Sequence, residues 1–364
     1  MSQVVAEAGI PIEPELVPAQ PGLQWLRWVQ IAGPFVVALL VGAMVLAASG
    51  RDAAGTYALL FQQSLGGPTE FANTLVSTTP ILLTGLATSI AFRAGIFNVG
   101  VEGSLYVGAF AAAWVGFSLS NLPGLMIVLV AGAFAGLAGG AWALIPALLR
   151  ARWRVDEVVT TLMLNYVAIL LTSWLVNYYF LAPDIANSMS PQIAEQARLP
   201  SLFSSTQLTI AFPFALVVTA LYAYLFNRSV VGYELRMIGL NPKFARAVGI
   251  NLAAGIITAF LLSGVLGGIA GGMQILGVNY RFIDHFSPGY GFTGIAVALL
   301  GRGHPIGIVL AALFFGALSS GGAMIQLFSD IPLDLINVLQ GVVMIFAVIE
   351  LTRLPFVRRW LRRA

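Results

Sequence analysis

A single carboxylate, Glu102, stands in a long apolar stretch of the sequence, where it is the residue best suited to do chemistry. Asn98 precedes it by four residues, so a helix would place both polar side chains on one face. Burying a carboxylate at membrane depth costs at least about 2.5 kcal/mol, so it should face protein or an aqueous cavity. Glu102 could therefore contact a solute, or it could tie a helix broken by Gly95 and Gly100 to a neighbouring segment.

A second polar set follows Asp156 in the stretch DEVVTTLMLNYVAI. Asp156 can cap a helix, and Thr161 and Asn165 then lie one turn apart on a shared face, with Tyr166 adjacent. This face could hydrogen-bond a polar solute. Hydrogen bonding to a neighbouring helix is equally open, because Thr and Asn commonly do this inside membranes.

The stretch GVNYRFIDHFSPGYGF contains too many polar and helix-breaking residues for a simple membrane span. We expect its charged residues at the outer surface and a chain break before a short helix from Phe292. Irregular backbone at membrane depth persists only where protein or water surrounds it, which would suit the lining of a gate. A plain outer loop is the alternative. Asn279 and Phe292 join Asn98, Glu102, Thr161, Asn165 and Tyr166 as candidate residues of a solute path.

Several kinds of chemistry find no support in the sequence. The chain has no cysteine, its two histidines are far apart, and no metal-ligand cluster or Gly-x-Ser-x-Gly elbow occurs, so an intramembrane enzyme is not expected. A phosphate-binding P-loop needs lysine after glycine, but the only lysine, Lys243, follows Pro242. The sequence predicts no ATPase site, no metal and no cofactor in this chain.

The amino-acid composition indicates that these residues lie in a lipid bilayer. Hydrophobic residues make up 59% of the chain and charged residues 9%, against roughly 25% charged in soluble proteins. Uncharged runs recur at the length of about 20 residues that crosses a bilayer. The sequence predicts an all-α integral membrane protein with about ten spans: 29–49, 71–92, 96–117, 124–149, 158–180, 208–226, 251–276, 290–301, 305–328 and 332–350.

The distribution of basic residues orients these spans. With both termini cytoplasmic, all of the 18 basic residues except Arg51, Arg198 and Arg281 fall on the cytoplasmic side, as the positive-inside rule requires. The basic character therefore needs no nucleic-acid partner. We predict a flexible cytoplasmic tail at 1–28, a transmembrane domain at 29–350 and a basic cytoplasmic tail at 351–364.

Residues 131–140, AGAFAGLAGG, are similar to residues 263–272, SGVLGGIAGG. The two segments cross the membrane in opposite directions in this topology, which is the pattern of an inverted repeat in transporters. The simpler interpretation, which we favour, is that both helices need small residues for close packing in lipid.

The segment GLNPKFARAVGI, residues 239–250, predicts a short capped helix between membrane spans. Asn241 is a good N-cap, Pro242 suits the first helical position and Gly249 can end the helix. Phe244 and Val248 share one face, flanked by basic side chains. Because so short a helix is unstable alone, we expect a partner to pack against it.

Four segments in order, at 95–103, 156–166, 239–250 and 287–301, resemble the permease subunits of bacterial ABC importers of the ribose and branched-chain amino acid type, most closely the nucleoside-transport branch. The similarity spans residues 30–350. Ser104 departs from the pattern, since glutamine is expected after the Glu-Gly pair. The resemblance implies that the segment at 239–250 is the coupling helix that docks in a cytoplasmic ATPase. Its contact residues would be Asn241, Pro242, Lys243, Phe244, Ala245, Arg246 and Gly249.

The resemblance also implies partners and a location. It predicts an ABC ATPase that binds ATP, a second and homologous permease chain, an extracytoplasmic solute-binding protein, and residence in the bacterial cytoplasmic membrane. The expected solute is a nucleoside, with a simple sugar of the ribose type as the alternative. An ion-coupled secondary transporter is a further alternative, which would use Glu102 as its ion site and need no docking helix.

Overall fold

The computed structural model describes residues 40–44, 46–47, 50, 52–183, 187–203, 206–328, 338 and 341–342. The predicted tails at 1–28 and 351–364 lie outside the described residues, as do most of the first predicted span and of the tenth. The described part is helical, with isolated bridges at Met189–Ile283 and Ser201–Thr209 in place of any strand. The prediction of an all-α fold is confirmed for this part of the chain.

The helices follow one another with short connections. In chain order they are α1 (Ala53–Leu65), α2 (Pro68–Arg93), α3 (Val101–Ser118), α4 (Gly124–Trp153), α5 (Glu157–Tyr179), α6 (Ala211–Arg228), α7 (Val230–Leu240), α8 (Pro242–Ala247), α9 (Leu252–Gln274), α10 (Tyr290–Leu300) and α11 (Pro305–Phe328). A 3₁₀ turn occupies Glu195–Ala197, and a π turn, Ile275–Asn279, extends α9.

Six of these helices, within the described residues, are long and apolar enough to cross a membrane: α2, α4, α5, α6, α9 with its π turn, and α11. The protein is thus a multi-pass membrane protein, whereas the ten-span topology stays a prediction. The eighth predicted span is the 11-residue α10, which at 1.5 Å per residue covers about half of a 30 Å hydrocarbon core. The third predicted span begins at Val101 instead of 96, because residues 94–100 are not helical.

The predicted spans do not include α1 and α7, although each of these helices has a side-chain N-cap. The Asp52 carboxylate accepts from Ala54 N at 3.0 Å at the start of α1, and Ser229 Oγ accepts from Gly232 N at 3.0 Å in α7. Both helices are shorter than a membrane span, so hydropathy windows of spanning length miss them.

The core of the bundle is built around α2 and α9. In the most apolar stretch of α2, 78% is buried, against 22% for α5 at the periphery. α9 packs against α3, α4 and α2, and α2 also packs against α10 and α11.

Small residues let α9 approach its neighbours closely. A Cβ on Gly139 of α4 would lie 2.7 Å from the Cα of Gly268 in α9, so these backbones are in direct contact. The two similar segments at 131–140 and 263–272 therefore pack on one another, as small-residue faces do in lipid. The aligned glycines differ in setting, however. An added Cβ at Gly132 meets nothing within 4 Å, whereas one at Gly264 would overlap Ala143. The inverted repeat remains a prediction.

The segment between α5 and α6 lies across one end of the bundle and pairs with the segment between α9 and α10. Ser190 N donates to Phe282 O, Ile193 N to Tyr280 O and Leu199 N to Leu276 O, each at 2.9 Å. These backbone bonds tie residues 276–282 to the segment between α5 and α6 and so position the chain that leads into α10.

Candidate functional site

The predicted polar residues converge on the non-helical link between α2 and α3, residues 94–100, which we term the break. Much of the break is buried: Asn98 is 2% exposed, and Ile96 and Val99 are also enclosed, whereas Gly95 and Phe97 lie at the surface. Backbone groups without helical partners cannot remain unpaired at such a position, so side chains must satisfy them.

Two side chains of α5 provide these partners. The Thr161 hydroxyl accepts a hydrogen bond from Val99 N at 3.2 Å, and Asn165 Nδ2 donates to Val99 O at 2.9 Å. Asn165 Oδ1 accepts from Gly103 N at 2.8 Å, in the first turn of α3. The shared face of α5 that the sequence predicts is therefore real, and in this chain it contacts the backbone of the break.

Asn98 connects the break to α9. Its Oδ1 accepts from Gly100 N at 2.8 Å, which closes a local turn, and its Nδ2 donates to Ser263 Oγ at 2.9 Å. The break is consequently fixed to α5 on one side and to α9 on the other.

Glu102 connects α3 to the start of α10. Its side chain is 2% exposed, and its carboxylate accepts a hydrogen bond from the backbone amide of Gly291, the second residue of α10. The N-terminus of a helix carries partial positive charge and unpaired N–H groups, so it stabilises a buried carboxylate. Ser287, two residues before the N-cap Gly289, also binds the start of this helix, with its hydroxyl accepting from Tyr290 N at 3.1 Å.

Arg93, the last residue of α2, binds the turn between α10 and α11. Its guanidinium donates to Gly303 O at 2.6 Å and stacks over the Phe226 ring at 4.9 Å. Gly303 O also accepts from the Tyr222 hydroxyl at 2.9 Å. This contact joins the end of α2 to α6 and to the turn between α10 and α11.

The other candidate path residues lie away from the break. Tyr166 is 58% exposed on the outward face of α5, Phe292 is 39% exposed on α10, and Asn279 is half-buried in the π turn. The seven candidates thus divide into four buried residues that bind backbone and three that are partly or largely exposed.

An aromatic cluster between α3 and the 280–289 segment was not predicted. Tyr106 lies 4.9 Å from Phe286, and Phe110 lies 5.7 Å from Phe282, measured between ring centroids. Beside it, the Asp284 carboxylate accepts from Ser173 Oγ at 2.9 Å. Phe282 and Phe286 flank Asp284 in the sequence and could have predicted this cluster. Aromatic residues next to a polar turn favour a packed structure over a plain loop.

Two cavities lie elsewhere among the described helices. One, of 220 Å³, is lined by Ser89, Phe92, Arg93, Arg302 and their neighbours. The other, of 410 Å³, opens between α4, α6 and α9 and is lined by apolar side chains such as Leu129, Phe214 and Met273. The second suits hydrocarbon better than a polar solute, because it offers almost no hydrogen-bonding groups.

The segment at 239–250 forms the capped helix that the sequence predicts. Asn241 Oδ1 accepts from the amides of Lys243 and Phe244, both at 3.1 Å, and α8 then ends at Ala247. Ala245 is buried against the bundle, whereas Phe244 is 47% and Val248 53% exposed. Lys243 and Arg246 are exposed as well. The outward face of α8 therefore combines two apolar side chains with two positive charges.

Comparison with known proteins places this sequence in a family. A family model described as the permease component of branched-chain amino acid transport systems matches residues 71–348. A guanosine ABC transporter permease protein of Bacillus subtilis is 34% identical over 317 residues, 85% of this chain and 90% of that protein. A glucose ABC transporter permease protein of Haloferax volcanii is 32% identical over 349 residues, 93% of this chain and 91% of that protein.

A nucleoside ABC transporter permease protein of Lactococcus lactis is 29% identical over 331 residues, 86% of this chain and 89% of that protein. The family match covers more than half of the chain, including the break, α8 and α10. The chain therefore belongs to the permease-component family of branched-chain amino acid transport systems and is a multi-pass membrane permease of the ABC transporter type.

Proposed function

We propose that this chain forms half of the membrane channel of an ATP-driven importer whose solute is a nucleoside. Relatives named for guanosine and nucleoside transport carry the proposal, since they match nearly the whole length of the chain. A nucleoside has a ribose that forms hydrogen bonds and a base that stacks. Tyr166, Asn279 and Phe292 offer both kinds of contact on accessible surface.

Hydrolysis of ATP is assigned to a cytoplasmic partner, which docks on α8. The exposed Phe244 and Val248 would enter an apolar cleft of the ATPase, while Lys243 and Arg246 would meet acidic side chains at its rim. The N-cap at Asn241 supports this assignment, because it keeps a six-residue helix formed before the partner binds.

A second permease chain is proposed to complete the channel. Bacillus subtilis has two guanosine permease proteins similar to this chain, at 34% and 28% identity, and Lactococcus lactis has two nucleoside permease proteins similar to it. We place the complex in the bacterial cytoplasmic membrane, with a solute-binding protein delivering the nucleoside to the outer face.

Sugar import is the second candidate function. The glucose permease relative is 32% identical over 93% of this chain, a larger share than the 85% covered by the guanosine relative. Ion-coupled transport has less support, because the Glu102 carboxylate that it would use already binds the N-terminus of α10.

Uptake by the purified complex in liposomes tests the proposal. We expect ATP-dependent accumulation of labelled guanosine or another nucleoside, and competition by unlabelled nucleosides but not by glucose or ribose. Accumulation of a sugar with no nucleoside uptake would replace the nucleoside assignment by the second candidate. Uptake by this chain alone, without ATP or partner chains, would overturn the ATP-driven mechanism itself.

A further inference from the structure

We infer, on the basis of the proposed function, that Gly239 and Gly95 transmit the movement of α8 to the break and thereby to α10. The two glycines act as positioning residues for transport, and the buried polar residues of the break carry the movement onward. α8 is the proposed docking site of the ATPase. Such a route would therefore couple ATP hydrolysis in the partner to movement of the membrane channel.

The contact between the two glycines joins backbone to backbone. Gly239 lies in the last turn of α7, and a Cβ added to it would overlap Arg93 O and lie 2.9 Å from Gly95 N. Gly95 adopts a φ of +72°, and a Cβ there would lie 3.1 Å from the Cα of Gly239. Because no side chain separates the two segments, a displacement of one displaces the other.

Gly239 moves with α8 because α7 and α8 are joined at a shared cap. Asn241 N donates to Met237 O at 3.0 Å in α7, and Asn241 O accepts from Ala245 N at 2.9 Å in α8. Asn241 thus belongs to the hydrogen-bond pattern of both helices, so α7 and α8 have little freedom to move relative to each other.

A rival route runs from α8 directly into α9, through the link at 248–251. Gly249 in this link has a φ of +88°, and an added Cβ would meet nothing within 4 Å. Gly249 thus faces open space and touches no other segment through this side, whereas at Gly239 the backbones of two separate segments are in direct contact. The contact at Gly239 is the better candidate for the route to α10, because it reaches the break directly.

Beyond Gly95 the route continues through hydrogen bonds. Asn98 donates to Ser263 of α9, Asn165 of α5 binds Val99 and Gly103, and Glu102 accepts from Gly291 of α10. Each of these is a buried bond between segments that are far apart in the sequence. Displacement of the break must therefore move α10, which bears the half-exposed Phe292 of the proposed solute path.

The test compares Gly239→Ala with Gly132→Ala in the complete complex in liposomes, with import and ATP hydrolysis measured together. Gly132 is a matched control, because its added Cβ meets nothing within 4 Å. We expect Gly239→Ala to hydrolyse ATP normally while the amount imported per ATP falls about fivefold or more, as for typical coupling free energies. Gly132→Ala should keep the wild-type ratio.

A second variant, Ser263→Ala, tests the far end of the route and remains informative if Gly239→Ala fails to assemble. It removes the acceptor of Asn98 Nδ2 with little change in volume. We expect the import-to-hydrolysis ratio to fall in the same direction. An unchanged ratio in the assembled variants, or a loss of both activities in proportion to lost protein, would overturn the inference. A wild-type complex that hydrolyses ATP but imports no solute would overturn the proposed function and this inference with it.

Discussion

The carboxylate of Glu102 accepts a hydrogen bond from the backbone amide of Gly291, a residue 189 positions later in the chain. The bond places the one buried carboxylate of α3 against the N-terminus of α10. The missing side chain of Gly291 makes the approach possible, because a Cβ there would lie 2.7 Å from the Cα of Glu102. A role as helix cap follows for Glu102, and its consequences can be measured.

Replacement of Glu102 by Gln should preserve import. The Gln carbonyl oxygen can still accept from Gly291 N, and removing the negative charge removes the cost of burying it. Glu102→Ala should destabilise the protein, because an orphaned buried donor costs about 1–3 kcal/mol. Thermal unfolding of the purified permease, measured beside uptake by the complex, checks both variants. Full assembly of Glu102→Gln with complete loss of import would instead favour an ion-binding role.

Gly291→Ala should lower stability because the added methyl group collides with the backbone of α3. Overpacking of this kind costs about 1–3 kcal/mol, and backbone cannot move aside as a flexible side chain can. The measurement is the midpoint of thermal unfolding in detergent, with Gly132→Ala as the reference substitution. Equal midpoints for the two variants would show that α3 and α10 are not in contact in solution.

Asn165→Ala should be more destabilising than Tyr166→Ala, although the two residues are neighbours. Asn165 binds both Val99 O and Gly103 N, so its loss leaves two buried backbone groups unpaired, at about 1–3 kcal/mol each. Tyr166 is 58% exposed and has little buried surface to lose. Unfolding midpoints of the two variants test the difference. If solute uptake falls in Tyr166→Ala at unchanged stability, the proposed path gains support.

Arg246→Glu should abolish nucleotide-driven import while leaving the permease folded. Arg246 is exposed on α8, so the reversal of charge disturbs the proposed ATPase contact and little within the chain. Arg152→Glu, also exposed and near the end of α4, is the control for charge reversal alone. Copurification of the ATPase and uptake by the complex are the measurements. Retention of both in Arg246→Glu would refute docking through α8.

Local patterns in the sequence determined the long helices of this protein and two helix caps. Runs of apolar residues predict α2, α4, α5, α6, α9 and α11 to within a few residues, because a helix in lipid must satisfy its own backbone and expose apolar side chains. The caps at Asp156 and Asn241 were equally accessible, since a cap bonds to amides two or three residues away. Polar residues in apolar runs likewise identified Asn98, Glu102, Thr161 and Asn165 as candidates, although the sequence left open whether they contact a solute or a neighbouring segment.

Only the tertiary structure decided what those residues bind. Asn165 lies 62 residues from Gly103, and Glu102 lies 189 residues from Gly291. No local period encodes such pairs, because the packing of several helices brings them together. For the same reason the contact of Gly95 with Gly239 was invisible in the sequence, where each is one glycine among 39. Hydropathy determines which segments form membrane helices, whereas close contact between backbones determines which helices pack together.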